Sequence, residues 1–115
     1  MKLSIGILAH NEADAIATLL QSLSQQSLLT SLNKGYSIEI IVVPNGCNDN
    51  TALIARNTLE RLSLENDQAL WNWKVCEVEE AGKSNAWNLF IHEFAAPDAD
   101  FFCLMDADIQ LHDRN

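Results

Sequence analysis

The sequence predicts an α/β domain: a mainly parallel β-sheet with helices on both faces, in the order βαβαβαβ. Three observations predict it. Four short apolar runs have the length and the β-branched or aromatic content of strands. Three segments with helical periodicity alternate with them. Clusters of turn residues punctuate the boundaries between the two kinds of segment. Strands joined through helical crossovers pair in parallel, with right-handed connections and helices packed on the sheet.

The elements follow in order. Leu3 to Ala9, "LSIGILA", is an apolar run short enough for a buried strand. In "NEADAIATLLQSL", Ile16, Leu19, Leu20 and Leu23 fall at i, i+3, i+4 and i+7 and mark one face of a helix. Asn11 is placed to cap it, with acids in the first turn. A polar loop around Asn33 and Gly35 closes this unit. Ser37 to Val43, "SIEIIVV", is almost continuously β-branched, the pattern of a strand covered on both faces. "PNGCNDN" stops it. Ala52, Ala55, Leu59 and Leu62 then form the stripe of a second helix. "LWNWKVCEV" alternates as a third strand. Gly82 turns the chain into a third helix, with Ala86, Leu89, Phe90 and Phe94 expected inward. Pro97 and Asp98 form the turn before a fourth strand, "DFFCLMDA", whose apolar run reads as buried. As the last strand given, it is expected to present an unpaired edge or an uncovered face at Phe101, Phe102 and Leu104 and to make the chain self-associate.

The length of 115 residues suits one domain, residues 1–115, or half of a larger one. An apolar content of 48% supports a core and argues against disorder. Sixteen acids against seven bases give a net charge of −9, which repels a phosphate backbone, so no nucleic-acid partner is expected. An anionic ligand would need a positive mediator, and a divalent metal is the obvious one. Cys47, Cys76 and Cys103 are scattered and odd in number, which fits small buried hydrophobes in a reducing compartment. No segment is long and apolar enough to span a membrane, and the start lacks a signal-peptide layout. A cytoplasmic location is expected, with a membrane anchor outside these residues left open.

Ligands of open α/β sheets bind beyond the C-terminal strand ends. Four polar clusters fall there: "AHNE", "PNGCND", "EEAGKSN" and "DAD". Taken singly, each has an ordinary structural explanation. Asn11 and Asp49 can cap helices, Gly46 and Gly82 can turn the chain, and Lys83 can be a solvated surface charge. The "DAD" cluster is stronger. Alternation along an extended chain puts Asp106 and Asp108 on one side and Ala107 on the other. Two carboxylates that close repel, and a divalent cation removes the penalty. Hard oxygen ligands suit Mg²⁺ or Mn²⁺. The plain alternative is a solvated turn with one Asp capping the next segment.

"ILAHNEADAIATLLQSL", "VVPNGCNDNTA", "AGKSNAWN" and "CLMDADI" occur in the order and approximate spacing of the family 2 glycosyltransferases. The chain resembles that family over nearly its whole length. The resemblance implies the Rossmann-like nucleotide-binding half of a GT-A fold. It also implies a nucleotide-diphosphate sugar as ligand, a UDP-sugar first, with Mn²⁺ or Mg²⁺ on the diphosphate. On this resemblance Ala9, His10, Asn11 and Glu12 line the base and ribose, and Asn45 reads the base edge. Pro44 stands where many members carry a further Asp. Asp49 and Thr51 match turn-and-cap residues. Gly82 and Lys83 match the family's G-K pair, with Lys83 near the nucleotide or phosphates and Asn88 supporting that loop. Asp106 sits near the ribose and metal-bound water, and Asp108 is the direct metal ligand. The family's catalytic base is an acidic residue in an acceptor half that follows the "DAD". The resemblance therefore implies a base beyond Asn115 and none within these residues, so the chain alone is expected to bind donor without transferring sugar. The acceptor stays open. Two other readings compete: a non-catalytic nucleotide-binding module, and a phosphotransferase with the first Asp of the motif as nucleophile. The second ranks low, because such enzymes carry the motif on an early strand.

Overall fold

The structure is a computed structural model and describes residues 2–25, 37–65 and 71–107. Strand β1 is Lys2–Ala9, helix α1 Ala13–Ser24, β2 Ser37–Pro44, α2 Thr51–Glu65, β3 Trp71–Val75, α3 Lys83–Leu89 and β4 Phe101–Asp106. The four strands form one sheet in the order β3-β2-β1-β4, and every pair is parallel. Register runs Ile5↔Ile40 and Ile7↔Val42 between β1 and β2, and Ile5↔Cys103 and Ile7↔Met105 between β1 and β4. The chain therefore steps outward from β1 through β2 to β3, then returns to the other side of β1. The direction of winding reverses between β1 and β4, and in such sheets that reversal opens a crevice at the strand ends.

Alternation sorts the strand residues onto two faces. Ile5, Ile7 and Ala9 with Ile38, Ile40 and Val42 pack under α1 and α2, against Ile16, Leu19, Leu20, Leu23, Ala55, Leu59 and Leu62. Leu8, Ile41 and Val43 face the opposite way, onto Ala86, Phe90 and Ala95. This second face is covered by a shorter element that approaches closely. A Cβ on Gly6 would lie 2.8 Å from the Phe90 ring and 2.9 Å from Leu104, so a larger residue at that point of β1 would have to displace the buried Phe90 ring.

Several expectations are corrected here. The third helix does not stay α-helical. From Phe90 to Phe94 it widens into a π-turn, closed by the Ala95 amide on the Phe90 carbonyl at 2.8 Å. The extra residue shifts the phase, so Phe90 and Ala95 are buried while Leu89 and Phe94 are half-buried. Past the π-turn the chain is held by Glu39, whose carboxylate accepts from the Ser4 hydroxyl and from the Ala96 amide at 2.7 Å. Glu39 is the one acid in the β-branched run of β2, and it is buried because it ties this connection to the sheet. Strand β3 is shorter than expected. The Pro44 carbonyl accepts from Val78, so its nitrogen faces β3 too, with no hydrogen to offer. The ladder lapses after Val42↔Val75 and resumes as one bridge, Asn45↔Val78. The cysteines are free and half-buried, and burial pushes the Cys76 thiol up, away from its reactive form. The expected loop around Asn33 and Gly35 lies outside the described residues, within which no helix is long and apolar enough to cross a membrane.

Strand β4 lies at an edge of the described sheet, one of the two outcomes expected for it. It has β1 on one side and, among the described residues, no strand on the other. Phe101 is 54% exposed and Phe102 44%, although Phe102 meets the edge of the Phe90 ring at 5.9 Å between centroids. From Phe101 to Met105 the edge carries no charge and no proline, the usual guards against edge-to-edge pairing. Self-association through β4 is expected, with a light-scattering mass above the 12.8 kDa of one chain. Phe101→Lys should restore the monomer. A monodisperse wild-type monomer would overturn this expectation.

Candidate functional site

The strand ends at the reversal point bring five expected residues to one small cavity of about 70 Å³. Leu8 and Ala107 contribute apolar wall, His10 and Glu12 come from the turn after β1, Asn45 from the end of β2, Lys83 from the start of α3 and Asp106 from the end of β4. An open groove of about 450 Å³ adjoins it, sharing Leu8 and Lys83 and continuing along Ser84, Trp87 and Asn88. A further hollow of about 390 Å³ lies on the outer side of α2, around Asn57, Glu60, Arg61 and Leu64. It is remote from the strand ends and holds no comparable set of functional groups.

Opposite charges meet across the cavity. Lys83 Nζ lies 3.0 Å from Asp106 Oδ2, with the two side chains 75% and 35% exposed. Ala107 touches the cavity but is buried in the core beneath α1 and α2, while Asp106 lies on the crevice side. Two expectations from the sequence fall outside the described residues, which end at Ala107. One is Asp108, the expected metal ligand. The other is the catalytic base, expected beyond Asn115, which itself lies outside the described residues. Among the described residues no three His, Cys, Asp or Glu side chains converge as a ready-made metal cage.

Asn45, to which the resemblance gives the base edge to read, is held by partners inside the protein. It is 3% exposed. Its Nδ2 donates to the Ala9 carbonyl at 3.0 Å and the Val43 carbonyl at 3.3 Å, while Oδ1 accepts from the Gly82 amide at 3.1 Å. Carbonyls only accept and the amide only donates, so these partners fix the orientation of the side chain. Asn45 thus latches the ends of β1 and β2 to the loop that carries Lys83. That is the loop-supporting task the resemblance gave to Asn88, which is exposed on the groove wall. His10 is exposed, with Nδ1 2.8 Å from the Asn45 carbonyl. Nδ1 must then carry the proton, which leaves Nε2 as the acceptor of the neutral ring. Ala9 itself is buried in the core under α1, and its carbonyl also accepts the Asn45 amide at 2.7 Å, so it supports the cavity from behind.

Asn11 does not cap α1. It adopts a left-handed conformation, φ 51°, which Asn tolerates better than most residues, and its Oδ1 accepts from the Asn48 amide at 2.7 Å. The capping is supplied from the next loop. The Glu12 amide donates to Thr51 Oγ1 at 3.0 Å, and the Ala13 amide to Asp49 Oδ2 at 3.2 Å. The other Asp49 oxygen accepts from the amide and the hydroxyl of Thr51. The Thr51 hydroxyl, helped by these amides, holds the Asp49 carboxyl below the usual carboxylate range. One acid therefore ties together the starts of α1 and α2, and with them the two loops that rim the cavity. Trp87, 43% exposed, is a groove residue that sequence reasoning passed over. Its position four places after Lys83, on the same side of α3, was the available signal.

Comparison with known proteins agrees with this architecture. The chain superposes on S. aureus TarS 1-349 with a TM-score of 0.68 at 23% identity, covering 94% of this chain and 28% of that one. It superposes on the mannosyltransferase PcManGT from Pyrobaculum calidifontis, in complex with GDP-Man and Mn²⁺, with a TM-score of 0.66 at 20% identity, covering 92% and 27%. For TarS 1-349 in complex with UDP-GlcNAc the values are 0.62, 24%, 94% and 27%. The shared fold is the GT-A fold, and the chain spans about a quarter of the length of these structures. No curated protein matches the sequence. The sequence pattern of glycosyl transferase family 2 matches residues 4–115, nearly the entire chain. The chain belongs to glycosyltransferase family 2.

Proposed function

We propose that this chain is the donor-binding part of a glycosyltransferase, which holds a nucleoside-diphosphate sugar, a UDP-sugar first, in the crevice between β1 and β4 with Mn²⁺ or Mg²⁺. The observation that carries the reading is the placement of Lys83 and Asp106 together at the reversal point of the sheet. Family membership and the nucleotide sugars bound by PcManGT and TarS support it.

The donor set fits a hard divalent cation. Asp106 and Glu12 place carboxylates on the same cavity, and such ions are commonly held by one or two carboxylates plus substrate phosphates. Asp106 and Asp108 would hold the metal, which when bound supplies Lewis-acid stabilisation of the departing diphosphate. Lys83 brings three N–H donors to the phosphates on a chain whose net charge of −9 otherwise repels them. His10, Asn11 and Glu12 line the base and ribose, while Asn45 keeps its place behind them and holds the Lys83 loop in register.

A thermal-shift panel of UDP, GDP, CDP and dTDP, each with Mn²⁺ or with EDTA, tests the reading. A nucleotide at about 100 times its Kd should stabilise the fold by about 2.7 kcal/mol. UDP with Mn²⁺ is expected to give the largest shift, and Asp108→Ala to remove its metal-dependent part. Equal shifts in Mn²⁺ and EDTA would reject the metal. No shift with any nucleotide would reject the function.

A further inference from the structure

We infer that Lys83 makes metal and diphosphate binding interdependent, by withholding Asp106 from a divalent cation until a diphosphate draws Lys83 away. The inference rests on the donor-binding reading above and concerns how that site loads. The Lys83 ammonium stands 3.0 Å from Asp106 Oδ2, in the space a cation on that oxygen would use. A divalent ion and an ammonium cannot both sit there without mutual repulsion. Among the described residues that line the cavity and the adjoining groove, Lys83 is the only Lys or Arg. A metal alone must break the ion pair, and a diphosphate alone must break it too. When both bind, it is broken once. The saving is a coupling free energy, and by linkage each ligand tightens the other by the same factor.

The stem of Lys83 lets this exchange happen. Its side chain is 75% exposed at the first position of α3, beside the groove of Ser84, Trp87 and Asn88, so the ammonium can move without disturbing the core. The same exposure limits the effect. Exposed pairs contribute about 0.2–1 kcal/mol, which corresponds to a factor of up to about 5.

The test is a Mn²⁺ titration read by the EPR signal of the free ion, with and without UDP, on the wild-type chain and on Lys83→Met, Lys83→Arg and Lys74→Met. Lys83→Met is expected to bind Mn²⁺ alone about 2–5-fold more tightly, and the tightening of Mn²⁺ by UDP should fall by a similar factor. Lys83→Arg, which keeps an ion pair to the carboxylate, should behave like wild type. Lys74→Met changes net charge equally from β3 and should leave the Mn²⁺ affinity nearly unchanged. Circular dichroism checks that each variant is folded. An unchanged or weaker Mn²⁺ affinity in Lys83→Met, or an equal gain in Lys74→Met, overturns the coupling while leaving donor binding intact. A wild-type chain that binds no Mn²⁺ even with UDP overturns both.

Discussion

Asn45→Asp is expected to destabilise the chain by about 3–5 kcal/mol, more than Asn45→Ala at about 1–3 kcal/mol, although Asp is the closer match in shape. The reason is the direction of the hydrogen bonds. Nδ2 faces two carbonyls, those of Ala9 and Val43, and Oδ1 faces the Gly82 amide. Alanine gives up these bonds and leaves the Gly82 amide without its acceptor. Aspartate keeps that acceptor but sets a carboxylate oxygen against two carbonyl oxygens, at a position only 3% exposed. Against a total of about 5–15 kcal/mol for a native domain, such a loss is large. The charge also sets the pH dependence. Repulsion and burial raise the folded-state pKa of the new carboxyl above its unfolded value. Its penalty therefore grows as pH rises from the unfolded pKa toward the folded one, and shrinks in acid, where a neutral carboxyl can donate to one carbonyl. Urea unfolding followed by circular dichroism, at neutral and acid pH, reads both effects. An Asp variant as stable as wild type would mean that the amide nitrogen does not face the carbonyls.

This residue also marks how far the sequence could be read. The strands and helices were legible because their signals are local: β-branched runs such as "SIEIIVV", and stripes such as Ile16, Leu19, Leu20 and Leu23, all four of which are buried. Asp49 and Thr51 were legible as turn-and-cap residues for the same reason, but only for their own helix. That they also serve the start of α1, 36 and 39 residues away, is a tertiary fact invisible in any short window. Asn11, the nearest residue of suitable type, was therefore given a cap it does not make. Strand order was hidden likewise. Alternation of strand and helix permits β4 on either side of β1 or beyond β3; an unpaired edge or uncovered face was expected for it, but the strand it would pair with was not legible. At the site, the rule that strand ends gather ligands brought His10, Glu12, Asn45, Lys83 and Asp106 to one cavity. Which polar atoms were already spent inside the protein could not be read, and that is what separates the latch Asn45 from Lys83 and Asp106. Asp108, named from the spacing of the two acids and from the family resemblance, lies outside the described residues.

Gly46→Ala is expected to cost about 2–5 kcal/mol, through two effects at the same Cβ. Gly46 has φ of +60°, where a side chain on an L-residue costs about 1–2 kcal/mol. The added carbon would also lie 2.5 Å from Ala81 Cβ, 2.6 Å from the Ala81 nitrogen and 2.7 Å from its Cα. Overpacking of this kind typically adds about 1–3 kcal/mol. Two of the three contacts are with backbone, so no rotamer change relieves them. The loop after β2 and the loop before α3 must separate instead. Separation strains the Gly46 amide bond to the Val78 carbonyl, 2.8 Å, and the Asn45 bond to Gly82. Lys83 follows Gly82 directly, so the same shift moves the ammonium relative to Asp106. Loss of stability in denaturant unfolding should therefore be accompanied by a smaller UDP-dependent thermal shift. The double variant Gly46→Ala with Ala81→Gly decides the cause. It deletes the Cβ–Cβ contact and leaves the two backbone contacts and the positive φ, so it should recover less than half of the loss. Full recovery would place the whole cost on the methyl–methyl clash, and the two loops would then be packed less rigidly than their backbones indicate.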